Sequence, residues 1–268
     1  MDTLFLQNYS FFSAFGVALL LGILSPLVGI FLVMRRFSLL ADTLAHVSLF
    51  GVALCSFFGL PVTTGAFLGA VFGGGAIELF RQSRRVLSEA TLALFLSGSL
   101  SLAVLLFAIK GIDAEEIEAY LFGDLTLVVG HDFFLLLGIA CILIAFFLAF
   151  YRKLFLATLD EDLAKVNGVP VRRLNLIFML FASMVVAVSI KIVGVLLVSS
   201  LIVLPVMAAL QWQLGFKKTL LLSLGISELT VICGFMLAFL WNIPSGAAIA
   251  LCTLIAFLVS YFVQYMRP

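Results

Sequence analysis

Residues 132–151, DFFLLLGIACILIAFFLAFY, hold one charged side chain, Asp132, in the whole stretch. A helix on the surface of a soluble protein shows a polar face every three or four residues, and this one shows none. At 1.5 Å per residue it reaches about 30 Å, the hydrocarbon thickness of a bilayer, and so reads as a transmembrane helix. Comparable apolar stretches recur to both sides, at 12–34, 44–60, 62–80, 90–109, 174–190, 193–211, 219–241 and 245–264, which makes nine predicted spans in all. With 64% hydrophobic and 11% charged residues, the chain would expose large apolar areas in water. The ten-residue alternation of an outer-membrane barrel is absent. The expected fold is all-α and polytopic, a single transmembrane domain over 1–268.

Short inward loops retain Lys and Arg, and this fixes the expected orientation. With the N-terminus outside, Arg35, Arg36, Arg81, Arg84, Arg85, Arg152, Lys153, Lys165, Arg172, Arg173, Lys217, Lys218 and Arg267 fall inside, and only Lys110 and Lys191 fall outside. Adding or dropping one helix would scramble that split. The outer side is acidic, with Asp113, Glu115, Glu116, Glu118, Asp124 and Asp132 in one segment. No basic residue precedes the first span, which is too long for a signal-peptide core, so it is expected to stay as a helix. Cys55, Cys141, Cys233 and Cys252 form no CxxC pair and read as small apolar residues in helix packing.

Two connecting segments are long. In the outer one, 111–131, Ile117, Tyr120, Leu121, Leu125 and Val128 recur at helical spacing, which predicts a short amphipathic helix lying on the surface. In the inner one, 152–173, Leu159, Leu163 and Val166 alternate with Asp160, Glu161, Asp162 and Lys165 ahead of Gly168 and Pro170. That predicts a short helix, a glycine stop and a turn back into the membrane. Each segment is either a solvated connector or a docking surface for a partner. Gly65, Gly69 and Gly73 are spaced for close helix approach within a bilayer. Pro26 and Pro205 are expected to interrupt their spans.

Asp42 and His46 stand four residues apart at the edge of a span, in a chain with two histidines. On a helix the carboxylate and imidazole share one face and can converge on one cation. The competing reading makes Asp42 a helix N-cap and His46 an interhelical hydrogen-bonder. Glu228 is the carboxylate placed well inside a span, either a pathway group for a cation or proton or a packing group bonded to Ser227 or Thr230. No GxxxxGK[ST], HExxH or GxSxG motif occurs, so the chain is not expected to hydrolyse ATP or act as an intramembrane hydrolase. A cation-suited pair, an inward docking segment and no energy source of its own suggest a subunit powered by another protein.

The segment 35–54, RRFSLLADTLAHVSLFGVAL, resembles a signature of the membrane-permease subunits of bacterial zinc and manganese ABC importers, and its DTLAH form is similar to the zinc-uptake branch. AYLFGDLT at 119–126, DEDLAKVNGV at 160–169, KIVGVLLVSSLIVLPVMAA at 191–209 and NIPSGAA at 242–248 match in the same order. The resemblance implies a type II ABC importer permease fold in the bacterial inner membrane. Two permease copies would form the pathway as a homodimer, with a cytoplasmic ATP-binding subunit and an extracytoplasmic metal-binding protein as partners. It implies Asp42 and His46 as ligands of transported Zn²⁺, Mn²⁺ or Fe²⁺, with no permanently bound cofactor and no nucleic acid. It also implies ATPase coupling through Asp160, Asp162, Leu163, Ala164 and Gly168. Glu115, Glu116, Glu118 and Asp124 are then candidates for an outer gate or a docking site of the delivering protein. The pattern departs at Ser97, Gly98 and Ser99, where some zinc-type relatives carry an additional histidine in the fourth span, and at Glu228, which has no counterpart in it.

Overall fold

The computed structural model describes residues 2–82, 88–123, 130–241 and 243–266; Arg84, Arg85 and Asp124 lie outside them. Every regular element among the described residues is an α-helix: α1 (Asp2–Met34), α2 (Leu39–Phe57), α3 (Val62–Gln82), α4 (Ser88–Lys110), α5 (Ala114–Phe122), α6 (Gly130–Leu159), α7 (Glu161–Val166), α8 (Val171–Val193), α9 (Val198–Leu210), α10 (Phe216–Trp241) and α11 (Ser245–Tyr265). Eight of them, α1 to α4, α6, α8, α10 and α11, are long and apolar enough to cross a membrane. The all-α, multi-pass class read from the sequence is the class found.

The predicted span 193–211 differs. α9 has 13 residues, about 20 Å of helix, which is short of the hydrocarbon thickness. The chain breaks just before it, at a Gly194 held at φ +80°. Amides freed inside hydrocarbon must be satisfied by protein. Here the Val195 N–H donates to the Tyr120 carbonyl at 3.0 Å and the Leu196 N–H to that of Leu121 at 3.2 Å. The end of α5 is therefore pinned to the break, and the nine-residue helix is not simply laid on a surface. A Cβ at Gly123 or Gly194 would come within 2.3 Å of a backbone oxygen, which explains glycine on both strands of this contact. Pro26 and Pro205 lie inside helices that continue through them, so the interruption falls at the glycine instead. The helix over 132–151 also runs on to Leu159, past the basic pair that marked its expected end.

The helices gather into two compact units, 1–33 with 115–137 and 189–268, and 34–114 with 138–188. In the first, Gly234 of α10 lets the Ile249 backbone approach within 2.5 Å of where a Cβ would stand. α1 packs there through Phe15, whose ring centroid lies 5.2 Å from that of Phe235. Trp212 Nε1 donates to Ser260 Oγ at 2.7 Å, and that hydroxyl donates to the Ala208 carbonyl at 2.7 Å.

In the second unit α2 is the central helix, 72% buried where α4 is 22% buried. The glycine stripe of α3 lies against it. A Cβ at Gly65 would stand 2.3 Å from the Gly51 carbonyl oxygen, one at Gly69 2.8 Å from Gly51 Cα, and one at Gly73 2.0 Å from Val47 Cγ1. Such contact permits dense packing between helices that have no hydrophobic effect to drive them together in lipid. Ser48 Oγ adds a bond of 2.8 Å to the Ala66 carbonyl. Between this pair and α4 an apolar cleft of about 610 Å³ opens. Lys110 Nζ, at the end of α4, bonds the carbonyl and hydroxyl of Ser56 near the end of α2.

Candidate metal-translocation site

α2 begins at Leu39, with Ser38 at its N-cap making no side-chain bond, so Asp42 lies in the first turn and is not the cap. It stands one turn before His46 on the same face. Asp42 is partly exposed and His46 is buried. The neighbouring polar side chains of α2 are satisfied: Thr43 Oγ1 donates to the Leu39 carbonyl at 2.9 Å and Ser48 Oγ to that of Ala66. His46 Nδ1, by contrast, is buried without a hydrogen-bond partner. Leaving such a group unpaired costs about 1–3 kcal/mol, and a histidine present as an interhelical bonder would have used it. Oxygen plus imidazole nitrogen suits zinc, manganese or ferrous iron without choosing among them. Among the described residues no three His, Cys, Asp or Glu side chains cluster. One chain therefore offers two donors, and a four-coordinate ion needs water or a second chain for the rest. Ser97 and Ser99 place no imidazole or carboxylate on α4, and their hydroxyls donate to the Ala93 and Leu96 carbonyls of their own helix at 2.8 and 3.2 Å.

Glu228 of α10 lies against α1, where a Cβ at Gly22 would stand 2.9 Å from its Oε1. That oxygen is buried and unpartnered, as are the hydroxyls of Ser25 and Ser227. The bonds expected from Ser227 or Thr230 do not form; Thr230 Oγ1 donates to the Ser227 carbonyl at 3.0 Å.

The inner segment folds as its sequence predicts between Asp160 and Val169. Asp160 is extended and its carboxylate accepts from the Asp162 and Leu163 amides at 2.8 and 3.0 Å, capping α7. At the other end Gly168, at φ +74°, donates to the Lys165 carbonyl and Val169 to that of Ala164, both at 3.0 Å. This is a Schellman stop, in which glycine supplies the left-handed residue. Ala164 is buried, whereas Leu163 and Val166 are 50% and 86% exposed, so the short helix presents two apolar side chains outward. Residues 152–159 belong to α6 and 171–173 to α8, with Pro170 between the stop and α8.

Glu115, Glu116 and Glu118 are exposed on α5. Burial raises the Tyr120 phenol above its ordinary value, and Glu116 adds to the rise. Two carboxylates have partners that the sequence reading did not assign. Glu78, fully buried, accepts from Arg81 Nε and Nη2 at 2.7 and 2.8 Å and from Gln82 Nε2 at 2.9 Å. Glu161, at the start of α7, accepts from Asn175 Nδ2 at 3.0 Å and faces Arg81 Nη1 at 3.6 Å. The first has a local signal, Arg three residues after Glu on one helix. The second has none, because its partners are far away in sequence.

Known proteins resemble this chain along nearly its whole length. A probable metal transport system membrane protein of Treponema pallidum is 32% identical over 94% of this chain and 95% of its own. The manganese transport system membrane protein MntC of Halalkalibacterium halodurans is 27% identical over 96% and 88%. The high-affinity zinc uptake system membrane protein ZnuB of Buchnera aphidicola is 30% identical over 87% and 90%. Among solved structures, PsaBC from Streptococcus pneumoniae in complex with Fab superposes with a TM-score of 0.82 at 25% identity, covering 98% of this chain and 96% of that one. Residues 7–264 match the ABC 3 transport family, and with helices, polar pair and inner turn all in that frame, the chain belongs to this family of ABC-transporter membrane proteins.

Proposed function

We propose that the chain is the permease subunit of an ATP-driven importer of a divalent metal ion, with zinc placed ahead of manganese and ferrous iron. The observation that carries the reading is the buried, unpartnered Nδ1 of His46 one turn from Asp42. Similarity to relatives named for zinc and for manganese supports the cargo class, and the DTLAH form of the α2 motif favours zinc. Two copies complete the ion's coordination together with water, a set loose enough to release it. α7, with Leu163 and Val166 outward, docks on a cytoplasmic ATP-binding subunit that carries the hydrolysis. An extracytoplasmic metal-binding protein delivers the ion to the acidic side. The distribution of Lys and Arg supports an outer N-terminus and an inner C-terminus in the bacterial cytoplasmic membrane, with α9 and the break before it together making the ninth crossing.

The test is ATP-driven uptake of zinc and of manganese by the permease assembled with its ATPase in proteoliposomes. His46→Ala abolishes uptake while insertion and ATPase assembly persist; wild-type uptake by that variant refutes the assignment, and the faster of the two metals identifies the cargo. A stand-alone cation or proton-coupled carrier built on Glu228 and Asp42 is favoured by the orphaned Glu228 oxygen. It predicts uptake without the ATPase and loss of that uptake in Glu228→Gln.

A further inference from the structure

α7 does not sit on the membrane helices as a loose appendage. Its first residue, Glu161, accepts from Asn175 Nδ2 of α8 at 3.0 Å. The other side of that amide, Asn175 Oδ1, accepts from Arg35 Nη1 at 2.7 Å, and Arg35 Nε donates to Thr158 Oγ1 at 3.0 Å. Burial pulls the Arg35 guanidinium down to about 10, and Glu161 is the largest influence opposing that, so Arg35 stays charged at neutral pH with Glu161 as its main counter-charge. In the other direction Glu161 faces Arg81 Nη1 at 3.6 Å, and Arg81 is locked to the buried Glu78 by two bonds of 2.7 and 2.8 Å.

Both arms lead towards α2. Arg35 lies four residues before α2 begins, and seven before Asp42. Arg81 closes α3, whose glycines touch α2 backbone to backbone as far as Val47, the neighbour of His46. The close approach of the two backbones, with Ser48 Oγ bonded to the Ala66 carbonyl between them, couples the position of α3 tightly to that of α2. The Arg81 contact is longer than a hydrogen bond, so it can tighten or open with a small shift of α7. A cavity of about 400 Å³ opens beside it, lined by Arg35, Arg36, Arg81, Thr158 and Glu161 among others.

We infer that Glu161 is the positioning residue through which movement of α7 reaches the helix bearing Asp42 and His46, by way of Asn175–Arg35 on one arm and Arg81–Glu78 on the other. The inference rests on the importer reading above and adds a residue that the family resemblance did not supply. The decisive quantity is the number of metal ions moved per ATP hydrolysed, not either rate separately.

The experiment uses the assembled permease–ATPase complex in proteoliposomes, with zinc and manganese as probes, both rates normalised to assembled complex. Glu161→Ala lowers the ratio roughly fivefold or more, within the usual range of coupling between sites. Glu161→Gln, which keeps the acceptor for Asn175 and loses the charge facing Arg81, lowers it less; it also decides the matter if the alanine variant fails to assemble. Asn175→Ala added to Glu161→Ala loses no more than Glu161→Ala alone, because the Arg35 arm is already broken there; the double loss is therefore less than the product of the two single losses. A wild-type ratio in Glu161→Gln and Glu161→Ala, or fully multiplicative losses in the double variant, overturns the relay while leaving the importer intact. A wild-type complex that hydrolyses ATP and moves neither metal overturns the importer reading itself, and the relay with it.

Discussion

Glu78 and Arg81 show how strongly one buried charge depends on its neighbour. The Glu78 side chain is 1% exposed, and two of its three hydrogen bonds come from the Arg81 fork in the bidentate geometry that a lysine cannot reproduce. The pair together is worth little against an apolar pair of the same volume, because both charges were taken out of water. Breaking it is another matter. Arg81→Ala leaves a carboxylate buried with only Gln82 beside it, at a cost of about 3–5 kcal/mol. The expected outcome is a large fall in the thermal midpoint of the detergent-solubilised protein, with most of it recovered when Glu78→Gln is added. Equal midpoints for the single and double variants would show that the loss comes from Arg81 packing over the Phe37 ring, 5.3 Å away, and not from the abandoned charge. At this scale the sequence was legible wherever the signal is local. Asp42 and His46 announce themselves by spacing, whereas Glu161 meets Asn175 only because α6, α7 and α8 turn back on one another.

At the scale of elements, α7 is the clearest case of local chemistry deciding structure. Six residues are too few for a helix to hold in water by propensity alone. Both of its ends are therefore fixed, by the Asp160 carboxylate on the amides of Asp162 and Leu163 and by Gly168 in the left-handed region. Asp160→Ala removes the first of these at about 1 kcal/mol. Amide exchange at Asp162 and Leu163 should then quicken roughly fivefold, measured by hydrogen–deuterium exchange on the solubilised protein. Unchanged exchange would mean that docking against Ala164, not the cap, holds the helix. This element could be read in advance because acid cap, apolar interior and glycine stop occur in order. The break at Gly194 could not, since IVGVLLV at 192–198 is apolar on both sides of the glycine and the acceptors for its freed amides, the Tyr120 and Leu121 carbonyls, lie on α5, 75 residues before their donors. Hydropathy reports what lipid tolerates along a stretch, and it is silent about carbonyls supplied from elsewhere.

Over the whole molecule the charges are sorted more sharply than the helices. In the orientation proposed above, thirteen of the fifteen basic residues belong to the inner side, and Glu115, Glu116 and Glu118, exposed on α5, belong to the outer one. Glu115, Glu116 and Glu118 are held on a helix whose far end is bonded to the Gly194 break, so their positions are set by backbone contacts and not by a free loop. Two roles then make different demands. As an electrostatic funnel they raise the local concentration of an approaching cation, an effect screened beyond about 8 Å at physiological salt and strongest at low ionic strength. As a docking surface for a delivering protein, or as part of an outer gate, they act at contact distance, where added salt changes little. Replacing all three with glutamine keeps the size and polarity of α5 and removes three negative charges. If steering is the role, uptake by the triple variant falls at low salt and approaches wild type as salt rises. If contact or gating is the role, uptake falls by a similar factor at every salt concentration with the binding protein present. Rates equal to wild type across the whole range would leave α5 with its structural task alone, that of capping the break before α9.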